Sequence, residues 1–132
     1  MFPVLEKLYL SYNQIPVSHL QNLKYLGSLQ ELDLAANDLV TLPDDMSFLI
    51  NVENLNLSSN QFNSESTIVK PDTLFKAMGS IPKLKRLNIS RNKFGAIHSE
   101  MLNENSFISL QELDVSYNVV IDQDDLMWSK NI

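Results

Sequence analysis

The sequence contains no cysteine, which removes disulfide staples, thiolate metal sites and thiol nucleophiles together. That absence fits a reducing compartment better than secretion, so an intracellular, cytoplasmic location is expected. Only three glycines are present, and no Gly-x-x-x-x-Gly-Lys, Gly-x-Gly-x-x-Gly or Gly-x-Ser-x-Gly occurs, which leaves little from which to build a phosphate-cradling loop. No apolar run approaches the ~18 residues of a membrane span. The opening Met1-Phe2-Pro3-Val4-Leu5-Glu6-Lys7 lacks the basic start and apolar stretch of a signal peptide. Positive charge is scarce as well: ten Lys and Arg face sixteen Asp and Glu, a net charge of -6 and a pI near 4.7. The summed field repels phosphate backbones and anionic lipid, so neither a nucleic-acid nor a membrane partner is expected.

What remains is a chain of 132 residues, 44% hydrophobic and 20% charged, enough for one domain with a core. Within it one eleven-residue phrase, Leu-x-x-Leu-x-Leu-x-x-Asn-x-apolar, occurs five times. The copies are LEKLYLSYNQI from Leu5, LQELDLAANDL from Leu29, VENLNLSSNQF from Val52, LKRLNISRNKF from Leu84 and LQELDVSYNVV from Leu110. Their asparagines, Asn13, Asn37, Asn60, Asn92 and Asn118, lie 24, 23, 32 and 26 residues apart.

The chemistry of the phrase follows from its period. In Leu-x-Leu the period is two, so Leu8 and Leu10, like Leu32 and Leu34, point to one side of a short strand while Tyr9 or Asp33 points to the other. Strands are expected near 7–10, 31–34, 54–57, 86–89 and 112–115. One such strand cannot bury its apolar side, but copies stacked roughly 4.8 Å apart form a parallel sheet with a continuous leucine column. Where the chain turns out of each strand, backbone groups lose their ladder partners, and an asparagine amide supplies both donor and acceptor. Asn13, Asn37, Asn60, Asn92 and Asn118 are therefore expected to form a structural ladder.

This phrase and its recurrence resemble the leucine-rich-repeat family, of the cytosolic type, over nearly everything from residue 2 to residue 121. The resemblance implies an α/β fold: a right-handed solenoid with a concave parallel β-sheet and convex short helices and loops, residues 1–132 forming one domain of about five repeats. It also implies that protein partners bind the concave face. The stretch LFKAMGSIPKLKRLN from Leu74 further resembles leucine-rich-repeat proteins of ciliary and flagellar axonemes, including the X-ray radiation resistance-associated type, which implies a scaffold role in a microtubule-bound assembly.

The segments between phrases are expected on the convex side. Val40 to Leu49 matches the family's Leu-Pro filler, and Pro43 can open a short helix there. The third segment is longer, with an exposed loop over 64–72 and then an amphipathic helix capped near Asp72 or Thr73, because Leu74, Phe75 and Met78 fall on one helical face. Phe2-Pro3-Val4-Leu5 and Leu126 to Ile132 read as parts of neighbouring repeats rather than caps, so a piece of a longer array is expected.

Catalytic groups are sparse. The two histidines, His19 and His98, fall in convex segments of different repeats and cannot meet over one substrate. The run Asp122-Gln123-Asp124-Asp125 lacks the glycine and distant glutamate of an EF-hand loop, and capping of the segment after it is the simpler role. Trp128 and the methionines read as core filler. The triplets Asn56-Leu57-Ser58 and Asn88-Ile89-Ser90 match a permissive glycosylation pattern inside strands and are read as chance. No catalytic residue, cofactor or metal is assigned, and the chain is not expected to be an enzyme. Binding is left to the outward rows of the sheet: Lys7, Glu31, Asn54, Arg86 and Glu112; Tyr9, Asp33, Asn56, Asn88 and Asp114; and Tyr12, Ala36, Ser59, Arg91 and Tyr117. All but Asn54, Ala36 and Ser59 are candidate partner-binding residues, with Tyr9, Tyr12, Arg91 and Tyr117 as anchors, since tyrosine and arginine dominate interface energetics. The leading expectation is a protein-binding scaffold within a larger assembly; the alternative is the recognition module of an enzyme whose catalytic domain lies elsewhere.

Overall fold

The computed structural model describes residues 4–63, 71–95 and 105–118. The expectations for the loop up to residue 70, for His98, for Asp122 to Asp125, for Trp128 and for both termini lie outside these residues. Five strands, β1 (Lys7–Tyr9), β2 (Glu31–Asp33), β3 (Asn54–Asn56), β4 (Arg86–Asn88) and β5 (Glu112–Asp114), pair in parallel in chain order. Each phrase contributes one strand at one register, so that Leu8, Leu32, Leu55, Leu87 and Leu113 stand opposite one another. The ladder continues past the strands, with Leu10 N–H donating to the Asp33 carbonyl at 2.8 Å and Leu34 N–H to that of Asn56 at 2.8 Å.

Parallel pairing at fixed register puts like residues in columns, and the leucine columns are the core. Leu32, Leu34, Leu55, Leu57, Leu87 and Ile89 are all at most 2% exposed. Each such side chain contributes roughly 1.5–3 kcal/mol by leaving water, which a three-residue strand could not gain alone.

The other side of the core is closed by the intervening segments, which differ from one another. A 3₁₀ helix spans Val17–Tyr25 and buries Leu20 and Leu23. The helix expected after Pro43 does not form; residues 40–50 are turns and irregular backbone. The reason lies in competing partners. Asp45 Oδ1 accepts from Ser47 N–H at 2.9 Å, and Met46 N–H donates to Ser80 Oγ, 34 positions away, at 2.8 Å, so amides a helix would use are already committed. Helix α1 spans Pro71–Gly79, beginning before the cap expected at Asp72 or Thr73, with proline at a position where its missing N–H costs nothing. Residues 71 and 72 of the expected loop thus belong to the helix.

Where α1 widens the far side, aromatic rings fill the space. Phe62 and Phe94, the closing apolar residues of consecutive phrases, have ring centroids 6.4 Å apart, and Phe75 of α1 lies 5.4 Å from Phe94. The corresponding residues of the first two phrases are aliphatic, Ile15 and Leu39. Gly79 ends α1 against the next segment: a methyl group there would lie 2.7 Å from Ser106 Cβ. Among the described residues no helix is long and apolar enough to cross a membrane.

Candidate interaction face

At the end of each strand the phrase continues with an asparagine, and from Asn37 onward each amide ties two rungs together. Asn60 Nδ2 donates to the carbonyls of Leu57 and Ser58 in its own rung and to Leu34 in the rung before, all within 3.2 Å. Its Oδ1 accepts from the N–H groups of Asn37 and Leu39 at 3.0 Å each. Asn37 bonds Leu34, Ala35 and Leu10 in the same way, Asn92 bonds Ile89, Ser90 and Leu57, and Asn118 bonds Val115, Ser116 and Ile89. Among the described residues Asn13 donates to the Leu10 and Ser11 carbonyls of its own turn. Asn37, Asn60 and Asn92 are buried at 2%, 3% and 7% exposure, which is tolerable because both ends of each amide are satisfied.

The side chains opposite the core form the solvent-facing side of the sheet, crossed by a groove of about 380 Å³ lined by all five strands. Its rows do unequal work. In the row beginning at Tyr9, Asp33 Oδ1 accepts from Ala35 N–H, Asn56 Oδ1 from Ser58 N–H, Asn88 Oδ1 from Ser90 N–H and Asp114 Oδ1 from Ser116 N–H, each at 2.9–3.0 Å. These are Asx turns: a short acceptor side chain captures the amide two residues on and turns the backbone out of the strand. The turn then passes through a left-handed residue, at φ 60 for Tyr12, 56 for Ala36, 57 for Ser59, 55 for Arg91 and 56 for Tyr117. None is glycine, so each rung carries a conformational cost that bonding between rungs must offset. It is offset partly by the N–H groups of Tyr12, Ala36, Ser59 and Arg91, which donate to Ala35, Ser58, Ser90 and Ser116 carbonyls at 3.0–3.1 Å. The triplets at Asn56 and Asn88 match the glycosylation pattern because the same residues build this turn.

Tyr9 occupies the Asx position in the first rung and does something else. Its hydroxyl donates to Glu31 Oε2 at 2.9 Å, and Lys7 Nζ sits 3.9 Å from the same oxygen. That hydrogen bond, then desolvation and the negative charges of Glu31 and Asp33, raise the Tyr9 phenol above its ordinary range, so it remains a neutral donor at physiological pH. Farther along, Arg86 pairs through Nε with Glu112 Oε2 at 3.1 Å and donates to Asn54 Oδ1 at 3.2 Å. Lys85 and Glu53 pair at 3.1 Å beside it. At the rim Arg91 lies over the Tyr117 ring, 4.3 Å from its centroid. Tyr9, Tyr12 and Tyr117 are 59%, 86% and 73% exposed.

The candidate residues thus lie on one face, but in different states: Glu31, Arg86 and Glu112 in exposed polar pairs, the four Asx residues in turns, and Tyr12 and Tyr117 at the rim. Sequence reasoning passed over the turn-forming duty, although an Asp or Asn two residues before Ala or Ser in four successive phrases was the available sign.

A family model described as leucine rich repeat matches residues 3–62, just under half of the chain. The match supports the leucine-rich-repeat family. Leucine-rich-repeat domains generally mediate protein–protein interaction and are typically non-catalytic. Among the described residues, no three His, Cys, Asp or Glu side chains are grouped so as to hold a metal ion. His19 lies exposed on the 3₁₀ helix and is not among the residues lining the groove.

Proposed function

We propose that this chain is a non-catalytic protein-binding scaffold, a right-handed leucine-rich-repeat solenoid of one domain that docks a partner on the concave face of its sheet. The observation carrying this reading is the division of labour between the two sides of the sheet. The leucine columns and asparagine ladder hold the backbone, while Tyr9, Glu31, Arg86 and Glu112 remain at the surface of a shared groove with Lys7 beside it. Its polar, mixed-charge character suits a protein surface bound by complementarity. The resemblance of the Leu74 to Asn88 stretch to axonemal leucine-rich-repeat proteins supports a cytoplasmic, cytoskeletal setting in a ciliary or flagellar assembly.

Crosslinking mass spectrometry in native ciliated-cell extract tests this. Partner crosslinks are expected at Lys7, beside the groove, in preference to Lys24 on the 3₁₀ helix and Lys76 on α1, with axonemal proteins among the linked species. Partner links confined to Lys24 and Lys76 would overturn the docking face; links at Lys7 to non-axonemal proteins alone would overturn the setting.

A further inference from the structure

Subtracting the atoms that already have a structural task leaves an aromatic ring and carboxylate oxygens together at one corner of the groove, on Tyr9, Glu31 and Asp33. Four of the five rungs spend their second-row residue on an Asx turn. Arg86, the guanidinium among the groove's lining residues, is held between Glu112 and Asn54 at 3.1 and 3.2 Å. Tyr9 alone in its row has no turn to make, and it is the large aromatic of the groove lining, 59% exposed. Beside it Glu31 takes the Tyr9 and Lys7 contacts on the single oxygen Oε2, the lysine only loosely at 3.9 Å. Asp33 follows two residues on, and its turn bond uses Oδ1 alone.

We propose that this corner receives an arginine side chain from an extended segment of the partner protein, lying across the strands. The proposal rests on the docking face above and names its ligand. Charge complementarity argues for it: the groove is lined by four carboxylates, on Glu31, Asp33, Glu112 and Asp114, against one guanidinium. The geometry selects arginine over lysine, because a planar guanidinium can stack on the Tyr9 ring while its edge pairs with carboxylate oxygens, whereas an ammonium ion is a point charge. It also suggests a second contact. Asp33 and Asp114 are separated by three strand intervals, roughly 14 Å, and an extended chain places residues i and i+4 on one face about 13 Å apart. Two basic side chains four residues apart therefore match both carboxylates.

The test uses the whole chain, isotopically labelled, and NMR titration with the peptide Ser-Arg-Thr-Val-Thr-Arg-Ser, its Arg-to-Lys and Arg-to-Glu counterparts, and rising salt. The arginine peptide is expected to shift the amides of Tyr9, Glu31 and Asp33, to bind several-fold more tightly than the lysine peptide, and to weaken as salt rises. Glu31→Lys should weaken it about tenfold, as expected from reversing one charge in direct contact. Lys24→Gln, on the 3₁₀ helix away from the groove, should leave it unchanged. Retained spectral dispersion in each variant separates lost binding from lost fold. Equal binding of the glutamate peptide, shifts confined to other surfaces, indifference to Glu31→Lys, or no shift at millimolar peptide would each overturn the proposal. A native partner crosslinked at Lys7 through a segment without basic residues would overturn it while leaving the docking face intact.

Discussion

The inner and outer rungs of this sheet are written with the same phrase and are not equally held. Leu32, Leu55 and Leu87, in β2 to β4, are at most 2% exposed, whereas Leu8 in β1 and Leu113 in β5 are only half-buried. The asparagines follow the same gradient: Asn37, Asn60 and Asn92 are buried, Asn118 is half-buried and Asn13 is exposed. The difference teaches that the phrase specifies a rung while its neighbours on both sides supply the energy. A stacked repeat has nearest-neighbour stability, and identical residues are worth different amounts according to how many rungs flank them.

The sharpest way to break that comparison is to delete the same leucine in two rungs. Leu55→Ala removes a side chain walled in by Leu32 and Leu87, and should cost about 2–5 kcal/mol, within the range for large-to-small changes in a closed core. Leu8→Ala should cost less, since that side chain packs against the core from one side and is only partly buried. Chemical denaturation of both variants, read for midpoint at constant slope, gives the ratio. Equal losses would mean that position in the stack does not set the value of a leucine.

The asparagine ladder gives a smaller and more specific contrast. Asn60→Ala strands the Asn37 and Leu39 amides in a buried turn and takes one of two donors from the Leu34, Leu57 and Ser58 carbonyls, for an expected loss of about 1–3 kcal/mol. Asn13→Ala removes bonds to two exposed carbonyls that water can replace, and should cost under ~1 kcal/mol. Melting curves should therefore separate the two variants by several degrees. Coincident curves would remove the ladder as a source of stability.

These contrasts show which parts of the molecule can be read from its residues. The period-two leucines and the recurring asparagine carry their physics locally, in which face a side chain takes and in what a turn amide needs, so the strands of the structure sit inside the phrases. The region after Pro43 does not work that way. Its local signal favours a helix, yet the Met46 amide is taken by Ser80, just past the end of α1, and nothing within ten residues of Pro43 announces that partner. The outward rows were legible as a surface but not as a site. Asp33, Asn56, Asn88 and Asp114 look like free polar groups along the chain, and only the bonds to Ala35, Ser58, Ser90 and Ser116 reveal that they close turns. Tyr9 is informative for the same reason in reverse, because it departs from the turn-forming pattern.

The Ser80 junction also provides the finest test of how a segment between strands is held without a helix. Asp45 accepts from the Ser47 amide, and that bond, with the Ser47 hydroxyl, the Ser80 hydroxyl and the Lys76 charge, holds its carboxyl below the ordinary carboxylate value, against a smaller opposing effect of desolvation. A carboxyl whose folded pKa lies below its unfolded one adds stability that is present above the unfolded value, near 3.8, and disappears as pH falls through the lower folded value. The chain should therefore lose part of its stability on acidification below about pH 4, where the unfolded state takes up the proton first. Asp45→Asn keeps an acceptor for the Ser47 amide but cannot titrate, so its stability should fall less steeply over the same interval. Because Asp45 is exposed, water and salt screen the effect, and it is the smallest of the three. Denaturation midpoints for both chains at closely spaced acidic pH values measure it, and parallel curves would show that the Asp45 carboxylate does not help to hold the turn that replaces the helix after Pro43.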